Sequence, residues 1–513
     1  MSAFRDSSIV VLDTGRSSIK AGLGLHELLH APAIEVLSRV GLRRNASGDL
    51  LGSNQDVVHI GETSDSIHRN GFINGHASSS TLPPSERPAK VSDYLVANAL
   101  EEALAAGEDV AVFWPFAKGT ISDWIQAEAL WKNVLFKQLG LRRVQNESPV
   151  LLTIPPLVSR RMYQRVTQLF FERFNVAGFT LIERPLAQLY AANSLSGVVV
   201  DIGEYTTDVT PIVETAILHS ARLVVALGSW HCEQYLANIL RSNQHVVKAL
   251  SPPEAPLSAD ALHALLVTLA HQIWIDGLVK VPSDGEQVRP AEDEGITDIA
   301  AVLVAGKERA VIETGMKKRA NAKATAAERE RAREIEAMDL IQVDFHGQTL
   351  TLGKERHRFC EPLFDPFLLG NPALIRSQNG SEEALPLQEA VNYAINSVDI
   401  DSRLRLWDGI FVTGDITNHV KGIGAALQSR MTMYVVTNPD MMTEIQPRAV
   451  KTLKVPEYFA NYREKGDGLA SFLGSSLVAK NLFGDPGSLT FVSKTDYTNV
   501  GPSIIVDRCP TVL

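Results

Sequence analysis

The pattern Ile9-Val-Val-Leu-Asp13-Thr-Gly15-Arg-Ser-Ser18 returns in the middle of the chain as Val198-Val-Val-Asp201-Ile-Gly203-Glu-Tyr-Thr-Thr207. Each copy begins with a β-branched apolar run, which suits a strand buried on both faces. A glycine then permits a tight turn, and Ser or Thr residues lead into a returning strand. One Asp-x-Gly turn after a strand is commonplace. Two copies predict two similar halves facing one cleft.

Two such loops suit a nucleotide ligand. The backbone N–H groups of tight glycine turns can approach phosphates, and a carboxylate at a strand end can hold Mg²⁺ through water. One loop from each half would grip the phosphates from opposite sides. No other catalytic motif competes, because the sequence has no Walker loop, H-E-x-x-H, G-x-S-x-G or cysteine pair with metal-ligand spacing.

Length, composition and charge exclude several classes of protein. A chain of 513 residues, 45% of them hydrophobic, is long enough for more than one domain. The net charge of −10 gives no overall attraction to nucleic acid. Three cysteines are too few for a disulfide framework. The sequence has no secretory leader and no apolar run long enough for a membrane span. These features predict a soluble intracellular protein.

Local patterns predict alternating strands and helices. Ser92 is the expected N-cap of a helix ending near Gly107, and the other predicted elements are helices at 122–140, 159–174, 185–193 and 259–278 and strands at 150–154, 180–182, 341–345 and 349–352. This alternation is typical of an α/β sheet with helices on its faces. The segment 70–90 has too little apolar surface to pack and is predicted to be flexible.

A charged segment runs from Gly315 to Asp339 and is predicted to form a solvent-exposed helix supported by i,i+4 pairs. Its basic patch at Lys317-Lys-Arg-Ala-Asn-Ala-Lys323 has three readings: a nuclear import signal, a partner surface or a plain solvated helix face.

Several further stretches resemble the actin family in the same order along the chain. They are Pro115-Phe-Ala-Lys-Gly-Thr-Ile-Ser-Asp-Trp124, Pro149-Val-Leu-Leu-Thr153, Leu189-Tyr190-Ala191, Gly353-Lys-Glu-Arg-His-Arg-Phe-Cys-Glu-Pro-Leu-Phe364 and Gly501-Pro-Ser-Ile-Ile-Val-Asp-Arg-Cys509. The resemblance implies the actin-like α/β fold of the actin, sugar-kinase and heat-shock-chaperone superfamily, with two related halves of two subdomains each around a nucleotide cleft. It assigns 1–40, 109–190 and 451–513 to subdomain 1, 41–108 to subdomain 2, 191–241 and 343–450 to subdomain 3, and 242–342, with a charged insertion at about 285–340, to subdomain 4.

The resemblance also implies a nucleotide site. Its residues would be Asp13, Gly15, Arg16, Ser17 and Lys20 of the first loop, Asp201, Gly203 and Glu204 of the second, and Gly414 of an adenosine-side loop. Asp13 and Asp201 would hold Mg²⁺ through water, and Lys20 would meet the phosphates. Arg16 stands where the family has a small serine, and it could bind the terminal phosphate or fill an empty pocket.

Other positions depart from the family pattern. Tyr205 and Asp415 each replace a glycine. Arg184 and Asp208 stand where the family has the glutamine and histidine that orient the attacking water, and arginine cannot accept a hydrogen bond from that water. We therefore expect no catalytic residue and no required cofactor. The alternative is a structural ATP with Mg²⁺, or a slow nucleotide-dependent switch.

Within the family, three parts of the chain together resemble a fungal actin-related protein of the SWI/SNF and RSC chromatin remodellers. They are Val199-Val-Asp201-Ile-Gly203 with Thr206-Thr-Asp208-Val-Thr-Pro-Ile-Val213, the insertion at Lys307-Glu-Arg-Ala-Val-Ile-Glu-Thr314, and a tail with Val455-Pro-Glu-Tyr-Phe459, Phe472-Leu-Gly-Ser-Ser476, Val478-Ala-Lys480 and Gly501-Pro-Ser503. This implies a nuclear scaffold for transcription regulation that pairs with a second actin-related protein on the helicase-SANT-associated helix of the remodelling ATPase. It would contact other subunits and reach the nucleosome indirectly. Membership of a histone acetyltransferase or dynactin complex is the other possibility within this class.

Partner and filament surfaces follow from the same resemblance. By position, an apolar groove for an amphipathic helix would be lined by Tyr190, Thr215, Ala216 and Val478, each of which could equally be ordinary core. Remodelling at 70–105 and the charged insertion predict that the chain does not form filaments. His263 and His271, on one apolar helix, are expected to be edge or core residues rather than metal ligands.

Overall fold

The computed structural model describes residues 4–25, 30–44, 89–156, 159–254, 256–282, 339–370, 384–435, 449–463, 465–485 and 489–509. The chain divides into two compact units. Unit 1 comprises Met1–Arg184 and Ser475–Leu513, and unit 2 comprises Pro185–Gly474. The further division into four subdomains stays a prediction.

The strands are β1 Val10–Thr14, β2 Ser18–Leu23, β3 Ile34–Leu37, β4 Val40–Arg43, β5 Leu95–Val96, β6 Val110–Phe113, β7 Pro149–Ile154, β8 Gly178–Glu183, β9 Gly197–Ile202, β10 Thr207–Val213, β11 Ala216–Ile217, β12 Leu223–Val225, β13 Ile341–Phe345, β14 Gln348–Leu352, β15 Ile410–Thr413 and β16 Val492–Ser493. Unit 1 contains a sheet in the order β16-β8-β7-β1-β2-β3 and a smaller one in the order β5-β4-β6. Unit 2 contains a sheet in the order β11-β10-β9-β15, with β12 also on β10, and the β13-β14 pair.

The α-helices are α1 Asn98–Ala105, α2 Trp124–Lys132, α3 Arg160–Phe174, α4 Arg184–Ala191, α5 Ser229–Leu240, α6 Gln244–Leu250, α7 Ala259–Ile275, α8 Glu361–Phe364, α9 Leu387–Asn396, α10 Ile400–Trp407, α11 Ile423–Met431, α12 Ala460–Arg463, α13 Ala470–Gly484, α14 Lys494–Val500 and α15 Ile504–Arg508. A π-helical stretch, Asn133–Gln138, continues α2. Within the described residues, no helix is both long and apolar enough to cross a membrane.

The duplicated sequence pattern corresponds to a duplicated structure. In unit 1, Asp13 lies opposite Lys20 in an antiparallel pair and beside Thr153 in a parallel pair. In unit 2, Asp201 lies opposite Asp208 in an antiparallel pair and beside Thr413 in a parallel pair. Each aspartate is therefore the last residue but one of a central strand that is flanked by one antiparallel and one parallel neighbour. This confirms the prediction of two similar strand-and-turn units.

Each unit has its own apolar core. In unit 1, Trp131, Phe170 and Phe179 are fully buried, and the rings of Phe170 and Phe179 stack with centroids 4.5 Å apart. Trp131 also donates its indole N–H to Thr14 Oγ1 at 3.0 Å, which ties this core to the end of β1. In unit 2, helices α5 and α7 pack together and their apolar residues join those of β9 in one cluster. Both aspartate-bearing strands therefore rest on rigid cores.

Some local predictions need correction. The helix predicted from Ser92 begins at Asn98 instead, because Leu95 and Val96 form a strand that pairs with Gly41 and Val40. The second strand of the hairpin predicted at 349–352 begins one residue earlier, at Gln348, because the chain turns at His346 and Gly347. Nearly all of the loop predicted at 70–90, and nearly all of the charged helix at 315–339, lie outside the described residues.

Candidate functional site

The first and second loops make the same turn. The Gly15 N–H donates to the Ser18 carbonyl at 2.9 Å, and the Gly203 N–H donates to the Thr206 carbonyl at 3.0 Å. A Cβ added at Gly15 or Gly203 would lie 2.9 Å from that carbonyl oxygen in either loop. Both glycines are needed because any side chain would press on the returning backbone.

The side chain of Arg184, the first residue of α4, reaches the first loop of unit 1. Its Nη1 donates to Asp13 Oδ1 at 2.8 Å, and the Asp13 side chain is only 1% exposed. The same nitrogen would lie 3.4 Å from a Cβ added at Gly15, so the guanidinium also lies against the backbone of the turn. The carboxylate of Asp13, which was predicted to hold Mg²⁺, is thus paired with a positively charged side chain of the protein itself.

The other predicted residues of the first loop are also engaged by protein groups. Lys20 donates to Ser18 Oγ at 3.0 Å and lies 3.2 Å from Glu35 Oε1. The guanidinium of Arg16 packs over Gly119, where an added Cβ would meet Arg16 Nη2 at 2.7 Å. Both alternatives for Arg16, binding of the terminal phosphate and filling of a pocket, stay predictions.

The Ser17 carbonyl accepts a hydrogen bond from the Ser38 N–H at 2.8 Å, and Ser38 Oγ donates to the Gly15 carbonyl at 3.0 Å. The backbone of the first loop is therefore fixed by a neighbouring loop of the same unit.

The second loop is anchored by helices of unit 2. Asp201 Oδ2 accepts a hydrogen bond at 2.8 Å from the side-chain amide of Gln188, a fully buried residue. The carbonyl of Gly203 accepts from the Ser229 N–H at 3.0 Å, and the carbonyl of Glu204 accepts from the Trp230 N–H at 2.9 Å. The first N–H groups of α5, which suit anions at a helix start, are thus bonded to the loop itself.

Negative charge is concentrated beside the second loop. Burial raises the pKa of Glu204, and the nearby carboxylates of Glu233 and Asp415 raise it further, against the hydrogen bond that Tyr205 donates. Burial, followed by the charge of Glu204, raises the pKa of Tyr205 to about 12. An additional polyanion here would meet these carboxylates, with His271 as an opposing positive charge.

Asp208, which stands where the family has a water-orienting histidine, lies on β10 of unit 2. Its Oδ1 accepts from Nη2 of Arg222, and the side chains are only 17% and 16% exposed. The carboxylate is therefore engaged by a neighbouring cation.

Gly414 lies against the strand that leads into the second loop. Its φ is +114°, and a Cβ added there would be 2.1 Å from the Ile202 carbonyl oxygen. The structure thus brings Gly414 together with Asp201, Gly203 and Glu204 in unit 2, and Asp13, Gly15, Arg16, Ser17 and Lys20 together in unit 1.

The predicted partner residues fall in two places. Tyr190 hydrogen-bonds through its hydroxyl to the Thr215 side chain, and burial raises the pKa of Tyr190. Thr215 and Ala216 are exposed at the tip of the β10-β11 hairpin. Val478 is half-buried on α13. None of these four residues lies in the fully buried core.

The hairpin tip has an unusual backbone. Glu214 and Thr215 form its two-residue turn with φ of +49° and +72°, although such turns favour Asn-Gly. The Thr215 N–H donates to the Leu195 carbonyl at 2.8 Å, and the Glu214 N–H donates to Ser196 Oγ at 2.8 Å. These bonds hold two residues in a conformation that their side chains disfavour.

We expect Thr215→Gly to be more stable than Thr215→Ala by about 1 kcal/mol, because only alanine retains the steric cost of a positive φ. Both variants lose the hydroxyl contact with Tyr190, so their difference isolates the backbone. Urea denaturation of the two proteins measures it. Equal stabilities, or a more stable alanine variant, would show that the turn is not strained.

Two side chains that bind candidate-site residues were not found from the sequence: Gln188 on α4, which binds Asp201, and Arg222, which binds Asp208. A polar side chain within an otherwise apolar helix was a visible signal for Gln188, whereas nothing local marked Arg222. His271 contacts Glu233 with its Nδ1 at 2.7 Å, and His263 contacts Gln234. Among the described residues, no group of three or more His, Cys, Asp or Glu side chains is placed to hold a metal ion.

Comparison with known proteins extends the resemblance seen in the sequence. The family model described as Actin matches residues 5–510. The chain is 26% identical to "SWI/SNF and RSC complexes subunit arp9" of Schizosaccharomyces pombe over 98% of this chain and 99% of that protein. It is 26% identical to "Actin-related protein 7" of Arabidopsis thaliana and 24% identical to that of Oryza sativa subsp. indica, each over 78% of this chain and 86% of the relative. The predicted resemblance to a fungal actin-related protein of the SWI/SNF and RSC remodellers is confirmed, and the chain belongs to the actin family.

Proposed function

We propose that this protein is a non-enzymatic scaffold subunit of a SWI/SNF- or RSC-type chromatin-remodelling complex and acts in the nucleus. It pairs with a second actin-related protein on the helicase-SANT-associated helix of the remodelling ATPase, and it supports transcription regulation through that assembly. The observation that carries the assembly role is the similarity to the S. pombe subunit, which covers almost the whole of both chains. A shared full-length architecture favours a shared mode of assembly.

The non-enzymatic part of the proposal rests on two ion pairs. Arg184 and Asp208 occupy the positions expected to orient a water, and each is engaged by an opposite charge, on Asp13 and on Arg222. A side chain that orients the attacking water must be free to make a hydrogen bond to that water. Arg184 and Asp208 are each held in a partly buried ion pair and do not meet that requirement.

A nucleotide-dependent switch is the second candidate. The observation that favours it is the geometry that the two turns share, since the hydrogen bonds donated by Gly15 and Gly203 are nearly equal in length. ATP hydrolysis by the purified chain, with and without Mg²⁺, separates the candidates. The scaffold proposal expects no turnover above a protein-free control.

Affinity purification of the tagged full-length chain from nuclear extract tests the assembly role. We expect a second actin-related protein and the remodelling ATPase in stoichiometric amounts. Recovery with acetyltransferase or dynactin subunits instead would assign the chain to a different complex and overturn the proposal.

The partner surface is testable at Val478. We expect Val478→Glu to weaken binding of the helicase-SANT-associated helix at least about tenfold, because a carboxylate would be desolvated against an apolar helix face. Fluorescence anisotropy with a labelled helix peptide measures the affinity, and circular dichroism checks that the variant is folded. Val500→Glu is the matched control, since Val500 is 54% exposed on α14. Unchanged affinity of Val478→Glu would remove this residue from the interface.

A further inference from the structure

We infer that Arg184 is a built-in replacement for the metal cation at the first loop, so that this loop is complete without Mg²⁺ or nucleotide. The inference deepens the proposed function and rests on its view that the chain does not turn over ATP. It adds that one side chain, Arg184, opposes the binding of Mg²⁺ at this loop.

The position of Arg184 is fixed by rigid elements. It is the first residue of α4 and directly follows β8, whose last residue, Glu183, pairs with Ile154 of β7. Glu183 is itself buried and accepts a hydrogen bond from the Tyr163 hydroxyl. The sheet that contains Asp13 on β1 therefore also positions the guanidinium of Arg184, at the end of β8.

The charge balance of the loop follows from this placement. A carboxylate that is 1% exposed is costly unless a cation or several donors compensate it. Arg184 compensates Asp13 at 2.8 Å and is itself only 12% exposed, so the pair is largely removed from solvent. A hydrated divalent ion brought to the same carboxylate would face a fixed positive charge at short range. The residues present do not fit a Mg²⁺-nucleotide.

The consequence concerns substitution by glutamine, the residue that the family has at this position. Arg184→Gln removes the positive charge while leaving a hydrogen-bonding side chain. We expect the variant to bind Mg²⁺-ATP at least tenfold more tightly than the unaltered protein and to show a rise in Tm with Mg²⁺-ATP that EDTA abolishes. The unaltered protein should show neither response.

Isothermal titration of the full-length chain with ATP in MgCl2, together with thermal denaturation in MgCl2 or EDTA, provides the test. Arg39→Gln is the matched control, because it removes another arginine–carboxylate pair of unit 1, that with Glu101, without touching the loop. The double variant Asp13→Asn/Arg184→Gln should fold and should not respond to Mg²⁺, because it lacks both charges.

An unaltered protein that binds Mg²⁺-ATP as tightly as Arg184→Gln, or that is purified with it, would overturn the inference. If Arg184→Gln does not fold in any buffer, the unaltered protein and the double variant still test the inference. The inference then requires that both proteins fold and that neither responds to Mg²⁺-ATP. Helix binding is measured on the same samples. Its failure in the unaltered protein would overturn the proposed scaffold role and leave the inference about Arg184 standing.

Discussion

Replacing Arg184 with methionine should lower the free energy of unfolding by about 3 kcal/mol or more, the usual result of breaking a buried ion pair from one side. The reason is that the Asp13 carboxylate, 1% exposed, stays buried after its guanidinium partner is lost. Equilibrium denaturation in guanidinium chloride measures the change. Hydrogen–deuterium exchange of β1 shows whether the loss is centred on the first loop.

A double-mutant cycle separates this interaction from the general cost of truncation. Asp13→Asn in the Arg184→Met background should recover most of the lost stability, with a coupling energy of about 1.5 to 3 kcal/mol. Arg39→Met is the control, because its partner Glu101 is half exposed and a surface pair contributes about 1 kcal/mol or less. A coupling energy near zero would mean that the two side chains do not act as a pair.

Replacing Gly414 with alanine should destabilise the protein by about 3 kcal/mol or more, since two independent costs add. At φ +114° an L-side chain is strained, and the new Cβ would be placed 2.1 Å from the Ile202 carbonyl oxygen. That oxygen belongs to the backbone of a central strand and cannot move away without disturbing the sheet. Urea denaturation provides the measurement.

Gly424→Ala is the matched control for this prediction. Gly424 lies within α11, and an added Cβ would be 3.9 Å from Val412, an ordinary contact distance. We expect a gain of about 0.5 to 1 kcal/mol from the higher helix propensity of alanine. A tolerated Gly414→Ala would refute the packing explanation and suggest that the glycine serves only ligand approach.

The repeated strand and turn could be predicted from sequence because the signals are local. An apolar run, an aspartate, a glycine and a polar return specify a hairpin, and the two copies adopt equivalent registers at Asp13 and Asp201. The helix predicted at 159–174 is observed as α3, with Ser159 at its N-cap position. Strong periodicity bounded by clear end signals makes such elements predictable.

The helix predicted from Ser92 failed because a distant strand decided the local structure. Leu95 and Val96 fit a helical pattern, but pairing with β4 recruits them into a sheet. Sequence propensity is a weak prior that tertiary contacts override. The positive φ values at Glu214 and Thr215 were equally hidden, because neither residue is typical of such a turn.

The candidate site was predictable as a set of positions but not as a set of interactions. Sequence placed Arg184 and Asp13 in the same expected site without indicating that they bind each other, since 171 residues separate them. Asp208 and Arg222 are only 14 positions apart, but no sequence pattern marked Arg222 as the partner of Asp208. Which cation neutralises which carboxylate depends on the packing of whole elements, and that information is absent from any short window of sequence.

The most direct test of the scaffold proposal is the affinity of the full-length chain for the helicase-SANT-associated helix, measured by titration calorimetry in EDTA and again in saturating Mg²⁺-ATP. The proposal predicts tight binding with the same Kd in both buffers, because the helix is held by a protein whose nucleotide loops are already internally paired. Binding that appears only with Mg²⁺-ATP would contradict it and establish a nucleotide-dependent switch.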